Sequence, residues 1–279
     1  MKLGPALLDA AMGTSLQAAG LPPEVLPEAW LLDRPAAVAA VHRSHATAGA
    51  AVLLTCTFNL AGPRLEQAGL GDRVDELAAA AVRLARSAAP RALVAGAVGP
   101  TGLAAPGKSA TAGELSERYR RAFGALAAAG ADLLWSETQY HLGEARLALA
   151  AARSAGLPVG ATMSFAIRDR VLVCPDGTPA EDCLRALAVE GALAVGVNCV
   201  APGPWLTVLV ERTAPTLGVP LALKPNAGPP GRALEPVAFA TSLAPSARAG
   251  AVVLGGCCGT TAAHLLALRG LLPRSQARG

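Results

Sequence analysis

The stretch AVVLGGCCGTTAAHLLALRGLL, at residues 251–272, joins a short apolar run directly to a segment with helical spacing. The first part, residues 251–258, has the near-continuous apolar character of a parallel strand that is covered on both faces. The second part, from Thr260 onward, places its apolar residues at the intervals of an amphipathic helix. The stretch therefore predicts one strand followed by one helix, with a glycine-rich turn between them.

The same order of strand and helix recurs along the chain. Seven further apolar runs end in glycine, proline or polar residues: ALLDAAMG (6–13), AVLLTCTF (51–58), ALVAGAVGP (92–100), DLLWSET (132–138), PVGATMSF (158–165), ALAVGVNC (192–199) and PLALKPNAG (220–228). The alanine-rich segments between them have helical spacing, most clearly at 34–49, 72–90, 116–130, 141–156 and 180–191. Two further helices, near 205–212 and 234–243, are predicted less clearly because prolines crowd them.

Eight strand–helix units predict an α/β protein with a (β/α)8 TIM barrel, formed by a single domain over residues 1–279. An open doubly wound sheet is the alternative, but no G-x-G-x-x-G motif follows the first strand. The net charge of +4 is spread along the chain without a basic cluster, so no nucleic-acid surface is expected.

The apolar runs and the cysteine content indicate the cellular compartment in which the protein is expected. No apolar run reaches the roughly 18–20 residues of a membrane helix, so no membrane association is expected. Gly4, Pro5 and Asp9 interrupt the first apolar run too early for a signal peptide. Six cysteines without a secretory signal favour a reducing compartment, where thiols more often bind metal or react than form disulfides. We therefore expect a cytoplasmic protein.

Polar residues follow the apolar runs where a barrel places its chemistry, at the carboxyl ends of the strands. These strand-end residues are Asp9, Thr55–Thr57, Thr101, Glu137–Thr138, Ser164, Asn198–Cys199, Lys224–Asn226 and Cys257–Cys258. Polar groups in such positions cost desolvation unless something uses them. We expect them to share one rim of the barrel.

Three of the strand-end residues are cysteines. Cys199 ends the sixth strand, and Cys257 and Cys258 end the eighth, so the barrel can bring their thiols together. The glycines around the pair let the chain leave strand geometry, and both thiols can then turn to one centre. Three thiolates predict zinc with one open position, with buried apolar cysteines as the alternative. Such an anionic site suits the binding of a second thiol as a nucleophilic thiolate.

The chain resembles the homocysteine S-methyltransferase family across nearly its full length. The motifs that carry the resemblance are LLDAAMGT (7–14), LLTCTF (53–58), VAGAVGPTG (94–102), GADLLWSET (130–138), GVNC (196–199), PNAG (225–228) and GGCCGTT (255–261). The resemblance implies one zinc ion per chain on Cys199, Cys257 and Cys258. It also implies transfer of a methyl group to the thiolate of L-homocysteine to give methionine.

The resemblance extends to substrate contacts. It implies that Asp9 and Glu137 hold the amino group of homocysteine, and that backbone N–H groups at Ala10 and Ala11 meet the carboxylate. Asn226 is either a neutral oxygen near the metal or a turn residue. The resemblance places Trp30 near the methyl donor, and a tryptophan of the core or of a lid is the alternative. Relatives usually carry glycine where Ala10 stands here, and its methyl group could crowd the carboxylate.

Several other side chains receive a structural interpretation. Cys56 replaces an asparagine that is frequent in relatives, and a core thiol is the simplest interpretation. Cys174 and Cys183 fall away from the strand ends and receive no role. His42 and His45 share a helix face, and we expect them to face solvent rather than form a second metal site.

The methyl donor is less clearly indicated. Residues 164–187 resemble enzymes that use S-methylmethionine or S-adenosylmethionine, which favours a sulfonium donor. AAMGT (10–14) and AVGPTG (97–102) resemble the homocysteine module of cobalamin-dependent methionine synthase. A homocysteine-activating subunit served by a separate corrinoid protein is therefore the alternative, and an inactive zinc-binding barrel is a further one.

Overall fold

The computed structural model describes residues 1, 3–104, 110–229 and 232–272. The strands are β1 Ala6–Leu7, β2 Val52–Leu54, β3 Leu93–Val98, β4 Leu133–Gln139, β5 Val159–Met163, β6 Ala166–Arg168, β7 Val171–Val173, β8 Ala194–Asn198, β9 Leu221–Lys224 and β10 Val253–Leu254. The α-helices are α1 Met12–Ala18, α2 Trp30–Asp33, α3 Pro35–Thr47, α4 Pro63–Gln67, α5 Val74–Ala88, α6 Ala112–Ala128, α7 Leu142–Ser154, α8 Ala180–Val189, α9 Pro204–Thr213, α10 Pro236–Arg248 and α11 Ala262–Arg269.

Eight of the strands form one parallel barrel, as the sequence predicts. Their order around the sheet is β1-β10-β9-β8-β5-β4-β3-β2. A parallel bridge between Leu8 and Val52 joins the two ends of this order and closes the barrel. Because all strands run the same way, their carboxyl ends meet at one rim. None of the described helices has the length and apolar character needed to cross a membrane.

The inside of the barrel is filled by small aliphatic side chains around one large ring. Ala95, Ala97, Ala194 and Ala222 are fully buried there together with Trp135. A Cβ at Gly160 would lie 2.3 Å from the Trp135 ring, so only glycine leaves room for that ring on β5. The interior is therefore a packed core and not a channel.

Two features differ from the sequence-based expectation. The antiparallel hairpin β6–β7, which follows β5, was not predicted; its strands have three residues each and form a sheet separate from the barrel. His42 and His45 on α3 are buried, with 0% and 1% exposure, so the expectation that they face solvent is wrong. Both lie on the face of α3 that packs toward the barrel, where the aliphatic residues of the helix also lie.

Candidate functional site

Three thiols meet at the rim of the barrel. The Sγ atoms of Cys199, Cys257 and Cys258 all lie within 4.8 Å of one another, and those of Cys199 and Cys258 are 3.9 Å apart. Cys199 follows β8 and the pair follows β10, with β9 between these two strands. Cys258 is exposed and the other two are partly exposed. The three thiols, hereafter the thiol trio, are therefore open to a metal ion and to a further ligand.

Glycines shape the turn that carries the cysteine pair. β10 ends at Leu254, before the pair, as the glycines predict. A Cβ at Gly256 would lie 2.3 Å from Thr260 Oγ1, which donates to the Cys257 carbonyl at 2.6 Å. Gly259 has a φ of +78°, in the left-handed region that favours glycine. The turn therefore folds back on itself between β10 and α11, and both thiols can face one centre.

Cys199 is held by a constrained backbone on the other side of the trio. Its φ is 56°, and Thr138 at the end of β4 has a φ of 59°, both unusual for residues with a side chain. The Asn198 side chain joins the two strand ends: Asn198 Oδ1 accepts from Thr138 N at 2.9 Å, and Asn198 Nδ2 donates to Thr138 Oγ1 at 2.6 Å. These two hydrogen bonds join the ends of β4 and β8. They therefore fix Glu137, which precedes Thr138, relative to Cys199, which follows Asn198.

The trio has unequal affinities for protons. Hydrogen bonding from Cys199, and next from Cys257, lowers the pKa of Cys258 well below its ordinary value. Hydrogen bonding to its neighbours and burial raise the pKa of Cys199. Because the thiols are close together, the first thiolate forms easily, and its charge makes the next thiol harder to deprotonate. A bound cation would reduce this repulsion between thiolates.

A cavity of about 330 Å³ opens beside the trio. It extends to the segments that follow β1 and β2, where Glu28 and Phe58 line it. Among the described residues, Phe58 is the one aromatic side chain in the lining. Asp9, Glu137 and Lys224 also line the cavity and carry the charges nearest to the thiols.

Asp9 forms a buried ion pair. Lys224 Nζ lies 2.6 Å from Asp9 Oδ1, with side-chain exposures of 4% and 2%. Asp9 Oδ2 accepts a hydrogen bond from Leu54 N at 2.9 Å. Burial acts to lower the pKa of Lys224, but the charges of Asp9, Glu137 and Cys257 outweigh it and raise that pKa. Both oxygens of Asp9 therefore already have partners from the chain.

Glu137 differs from Asp9 in having no such partner. Its carboxylate makes no hydrogen bond or ion pair with any residue that the structure describes. Burial raises the pKa of Glu137 to about 7, against the opposing charge of Lys224. An acidic group in this state favours a cationic ligand, because a positive charge beside it stabilises its ionised form.

The remaining predicted residues have different placements. Ala10 and Ala11 line the cavity, but the Ala11 N–H group donates to Thr260 Oγ1 at 3.2 Å and is not free. Asn226 Oδ1 is buried and has no hydrogen-bond donor among the described residues. Its segment runs beside the pair, since Cys257 N donates to the Pro225 carbonyl at 2.8 Å. Cys56 is buried at the wall of the cavity, and burial raises its pKa.

Trp30 does not line the cavity. It is 5% exposed at the start of α2, packs in the core between the barrel and its helices, and has the Arg34 guanidinium 5.1 Å from its ring centre. Trp30 therefore occupies a core position, and its role toward the methyl donor stays a prediction. A surrounding helix layer, rather than an open loop, covers this tryptophan.

Three polar residues at strand ends, Lys224, Thr138 and Asn198, form side-chain contacts that the sequence did not predict. The sequence indicates only that each is a polar residue at the end of an apolar run, and not which residue it contacts. Their partners lie 215 and 60 positions away along the chain, so the pairs were not visible before the barrel was assembled.

Comparisons with known proteins agree with this site. The family model described as Homocysteine S-methyltransferase matches residues 6–272. The chain is 32% identical to Homocysteine S-methyltransferase of Escherichia coli, over 94% of both proteins. It is 28% identical to Methionine synthase of Mycobacterium tuberculosis, covering 92% of this chain and 24% of that protein.

A solved structure extends the likeness to three dimensions. The metallated form of the homocysteine methyltransferase MmuM from Escherichia coli superposes with a TM-score of 0.81, at 30% identity and over 96% of each chain. That crystal form holds a metal, and the thiol trio gives this chain a group of ligands that can do the same. With its barrel, its rim of thiols and a family match over residues 6–272, the chain belongs to the homocysteine S-methyltransferase family.

Proposed function

We propose that this enzyme uses zinc, held by Cys199, Cys257 and Cys258, to methylate the thiol of L-homocysteine with a small sulfonium donor. The observation that carries the proposal is the thiol trio, whose Sγ atoms lie within 4.8 Å of one another at the mouth of the cavity. Among the described residues, no other group of three cysteine, histidine or acidic side chains is placed to share a metal ion.

The donor set supports zinc. Three soft thiolates fit zinc, and three protein ligands with one exchangeable position is the pattern of catalytic zinc sites. Asn226 Oδ1, on the segment beside the cysteine pair, has no donor among the described residues and would be the neutral oxygen ligand of the metal when substrate is absent. Zinc in this site would supply the means to bind the homocysteine sulfur as a thiolate that stays nucleophilic.

The chain orients the substrate for attack. Glu137, the acid without a partner, accepts the ammonium group of homocysteine. The thiol proton is released to solvent, and the sulfur electron pair forms a bond to the methyl carbon of the sulfonium. The bond between that carbon and the donor sulfur breaks, and its electrons stay on the donor, which leaves as a neutral thioether. Asn198 and Thr138 keep Glu137 and Cys199 in register during this transfer.

The lining of the cavity favours a sulfonium. Glu28 is fully buried in the lining, and Asn59 donates to its carboxylate at 2.7 Å from the backbone N and at 3.1 and 3.2 Å from Nδ2. This acid and the Phe58 ring both line the cavity on the β1–β2 side, where a cationic donor gains from both. A single aromatic ring does not make the cage that holds a quaternary ammonium, so betaine is not proposed.

A corrinoid-linked enzyme is the second candidate. The match to methionine synthase over 92% of this chain favours it, because the homologous region there is about a quarter of a larger protein. In that case a separate protein would present the methyl group at the same rim. The chemistry of the thiol trio and of Glu137 would be unchanged.

The test measures methionine formed by the purified, zinc-loaded protein from L-homocysteine. S-methylmethionine, S-adenosylmethionine and methylcobalamin are offered separately. We expect turnover with a sulfonium and about one zinc per chain. Turnover with methylcobalamin alone would overturn the sulfonium proposal in favour of the corrinoid candidate. Full zinc with no turnover from any donor would indicate an inactive zinc-binding barrel, the outcome in which the Ala10 methyl group blocks substrate.

A further inference from the structure

Two further thiols meet away from the rim, in the core between the barrel and its helices. The Sγ atoms of Cys174 and Cys183 are 3.6 Å apart, and both residues are fully buried. Cys174 directly follows β7, and Cys183 lies in the first turn of α8. Neither belongs to the group of side chains that could share a metal ion. These two thiols, hereafter the outer thiol pair, therefore need an explanation separate from the thiol trio.

Cys174 has the surroundings of a reactive cysteine. Its sulfur contacts the Cys183 thiol and accepts a hydrogen bond from the backbone N–H of Leu142, the first residue of α7. Hydrogen bonding from Cys183, and then from Leu142, lowers the pKa of Cys174 against the opposing effects of burial and Asp176. A helix N-terminus and a neighbouring thiol both stabilise a thiolate, which is the nucleophilic form of cysteine.

Cys183 has the opposite character. Its hydrogen bond to Cys174 and its burial raise the pKa of Cys183, so this residue stays a thiol while Cys174 ionises. It is also held in a regular helix, whereas Cys174 stands where a strand passes into a turn. A thiolate beside a thiol is the arrangement in which one cysteine reacts first and the second converts the product into a disulfide.

The chain next to Cys174 is an exposed turn. Residues 175–177 are exposed, and the turn is closed by two backbone hydrogen bonds of Cys174 itself. Cys174 N donates to the Thr178 carbonyl at 2.8 Å, and Gly177 N donates to the Cys174 carbonyl at 2.9 Å. Hydrogen bonds in an exposed turn open locally at low cost in free energy. Such opening admits a small reagent to a pair that the closed turn shields from large ones.

Cys56 is a buried cysteine without these features. Burial, and next the charge of Glu28, raises the pKa of Cys56, and no hydrogen bond from the described residues offsets this. It is 3% exposed, so it resembles Cys174 in burial but not in its contacts. Any difference in reactivity between the two therefore reports the contacts of Cys174 and not its depth.

We propose that Cys174 and Cys183 are a modification site, at which hydrogen peroxide forms a reversible disulfide without involving the metal ligands. Cys174 is the cysteine that reacts with peroxide, and Cys183 is the one that completes the disulfide. Disulfides in a reducing compartment are usually transient, which is the behaviour expected of a pair that is reduced at rest.

The chemistry balances in two steps. The Cys174 thiolate attacks one oxygen of hydrogen peroxide and the O–O bond breaks, which leaves a sulfenic acid and a hydroxide that takes up a proton to become water. The Cys183 sulfur then gives up its proton and attacks the Cys174 sulfur. The S–O bond breaks, and a second water leaves. Two thiols are oxidised to one disulfide while one peroxide is reduced to two waters.

The disulfide would join the end of hairpin β6–β7 to α8. It closes the loop of residues 174–183 and so restrains the hairpin where it meets the helix layer. The hairpin begins just after Ser164, whose Oγ donates to the Cys199 carbonyl at 3.3 Å. The thiols of the trio lie on other strand ends, and we therefore expect them to stay reduced while the outer thiol pair is oxidised.

The test treats the zinc-loaded protein with hydrogen peroxide, blocks the remaining thiols by alkylation and maps all cysteines by mass spectrometry. We expect a crosslink between Cys174 and Cys183 that dithiothreitol removes, while Cys56 stays a thiol. Because one pKa unit changes the thiolate fraction about tenfold, the Cys174 thiol should be lost at least about tenfold faster than that of Cys56. Zinc content, measured on the same samples, should not change while the crosslink forms.

Two variants assign the roles within the pair. Cys183→Ala should leave Cys174 as a sulfenic acid, which dimedone captures when the treated protein is unfolded. Cys174→Ala should leave Cys183 as a thiol. The unaltered protein already decides whether the crosslink forms, so the proposal can be refuted even if a variant does not fold.

Other results overturn the proposal. Loss of Cys56 as fast as Cys174, with no crosslink, would mean that the outer thiol pair is ordinary core packing. Loss of zinc before the crosslink forms would make the trio the peroxide-sensitive site. Capture of Cys183 in the Cys174→Ala variant would reverse the two roles. The crosslink needs no metal, so failure of the protein to bind zinc would count against the proposed function and not against this site.

Discussion

Trp135 and Glu137 lie two residues apart on β4, and both side chains point into the barrel. Trp135 is fully buried among small aliphatic side chains, and its Nε1 donates to Thr162 Oγ1 at 3.2 Å. Glu137, one step nearer the rim, lines an open cavity and has a pKa raised to about 7 by burial. One strand thus serves two regions: an interior whose packing holds the barrel together, and a rim whose charges are left for a ligand.

Trp135 and Glu137 differ because side chains fill the interior of the barrel but leave a cavity at its rim. Interior positions are surrounded by neighbouring strands, so a large ring there needs a glycine opposite, as Gly160 shows. Rim positions lie at the ends of the strand ladders, where the pairing becomes irregular, as it does between Ser136 and Gln139 on β4, and where space opens. We therefore expect changes in the interior to alter stability and changes at the rim to alter binding.

The largest expected effect is on stability. Trp135→Ala should lower the free energy of unfolding by about 3–5 kcal/mol, because it leaves a cavity that the surrounding strands cannot close. Chemical denaturation measures the loss. The matched control is Trp205→Ala, on α9, where the ring is only partly buried and Nε1 donates to the Ala201 carbonyl; its loss should be clearly smaller. Equal losses would contradict a special role for the interior packing.

The second effect is on metal and turnover. Cys258→Ala should remove the metal and lower methyl transfer by more than about a hundredfold, since even indirect partners of metal ligands contribute about 10–100-fold. Metal content after dialysis and methionine formation are the measurements. Cys183→Ala is the control, because Cys183 contacts another thiol, Cys174 at 3.6 Å, but lies outside the rim. A Cys258 variant that keeps its zinc would refute the ligand assignment.

The third effect concerns the helix layer outside the barrel. Burial lowers the pKa of His42 to about 4, partly offset by the charge of Asp9, and neither ring nitrogen has a partner among the described residues. The unfolded chain, with a histidine pKa near 6.5, therefore binds more protons as the pH falls below that value. Stability is present above about pH 6.5 and is lost as the pH falls toward 4, by roughly 2 kcal/mol between pH 7.5 and pH 5.

Denaturation at pH 7.5 and pH 5 measures this loss against His42→Leu. The variant should lose roughly 2 kcal/mol less than the unaltered protein over that range. The comparison cancels the acid sensitivity of the metal site, which both proteins share. The same pH dependence in both proteins would show that His42 is not the buried titrating group.

The smallest effect is on one substrate contact. Glu137→Gln removes the acid that we propose as the partner of the substrate ammonium, and homocysteine binding should weaken by about tenfold or more while the zinc content stays unchanged. Calorimetry with the zinc-loaded protein is the measurement. Glu117→Gln, on the exposed side of α6 beside Arg120, should have no effect. Unchanged binding in the Glu137 variant would mean that another group holds the ammonium.

Local patterns predicted much of this molecule because they reflect constraints between nearby residues. The glycines around Cys257 and Cys258 predicted a turn, and α11 begins directly after this turn. The prolines that crowd α9 and α10 did not prevent these helices. One stands at the first position of each, where proline is tolerated, although Pro245 lies inside α10. The hairpin β6–β7 was missed because its strands are short and largely exposed, which leaves little apolar periodicity to detect.

Burial and charge pairing were harder to predict. The two histidines of α3 are polar in isolation, and only the packing of that helix against the barrel shows that they are enclosed. Asp9 and Glu137 looked alike as acids at strand ends. Their difference depends on Lys224, which lies 215 positions from Asp9 in the chain.

By itself, the sequence determined the eight strand–helix units, and with them the set of polar and thiol side chains that reach the rim. Periodicity and turn residues act over a few positions, and the closed barrel follows from repeating them. Only the tertiary structure decided which rim residues neutralise one another and which are left for a ligand. Electrostatic pairing depends on distances between side chains, and in a barrel those distances are set by strands far apart in the chain.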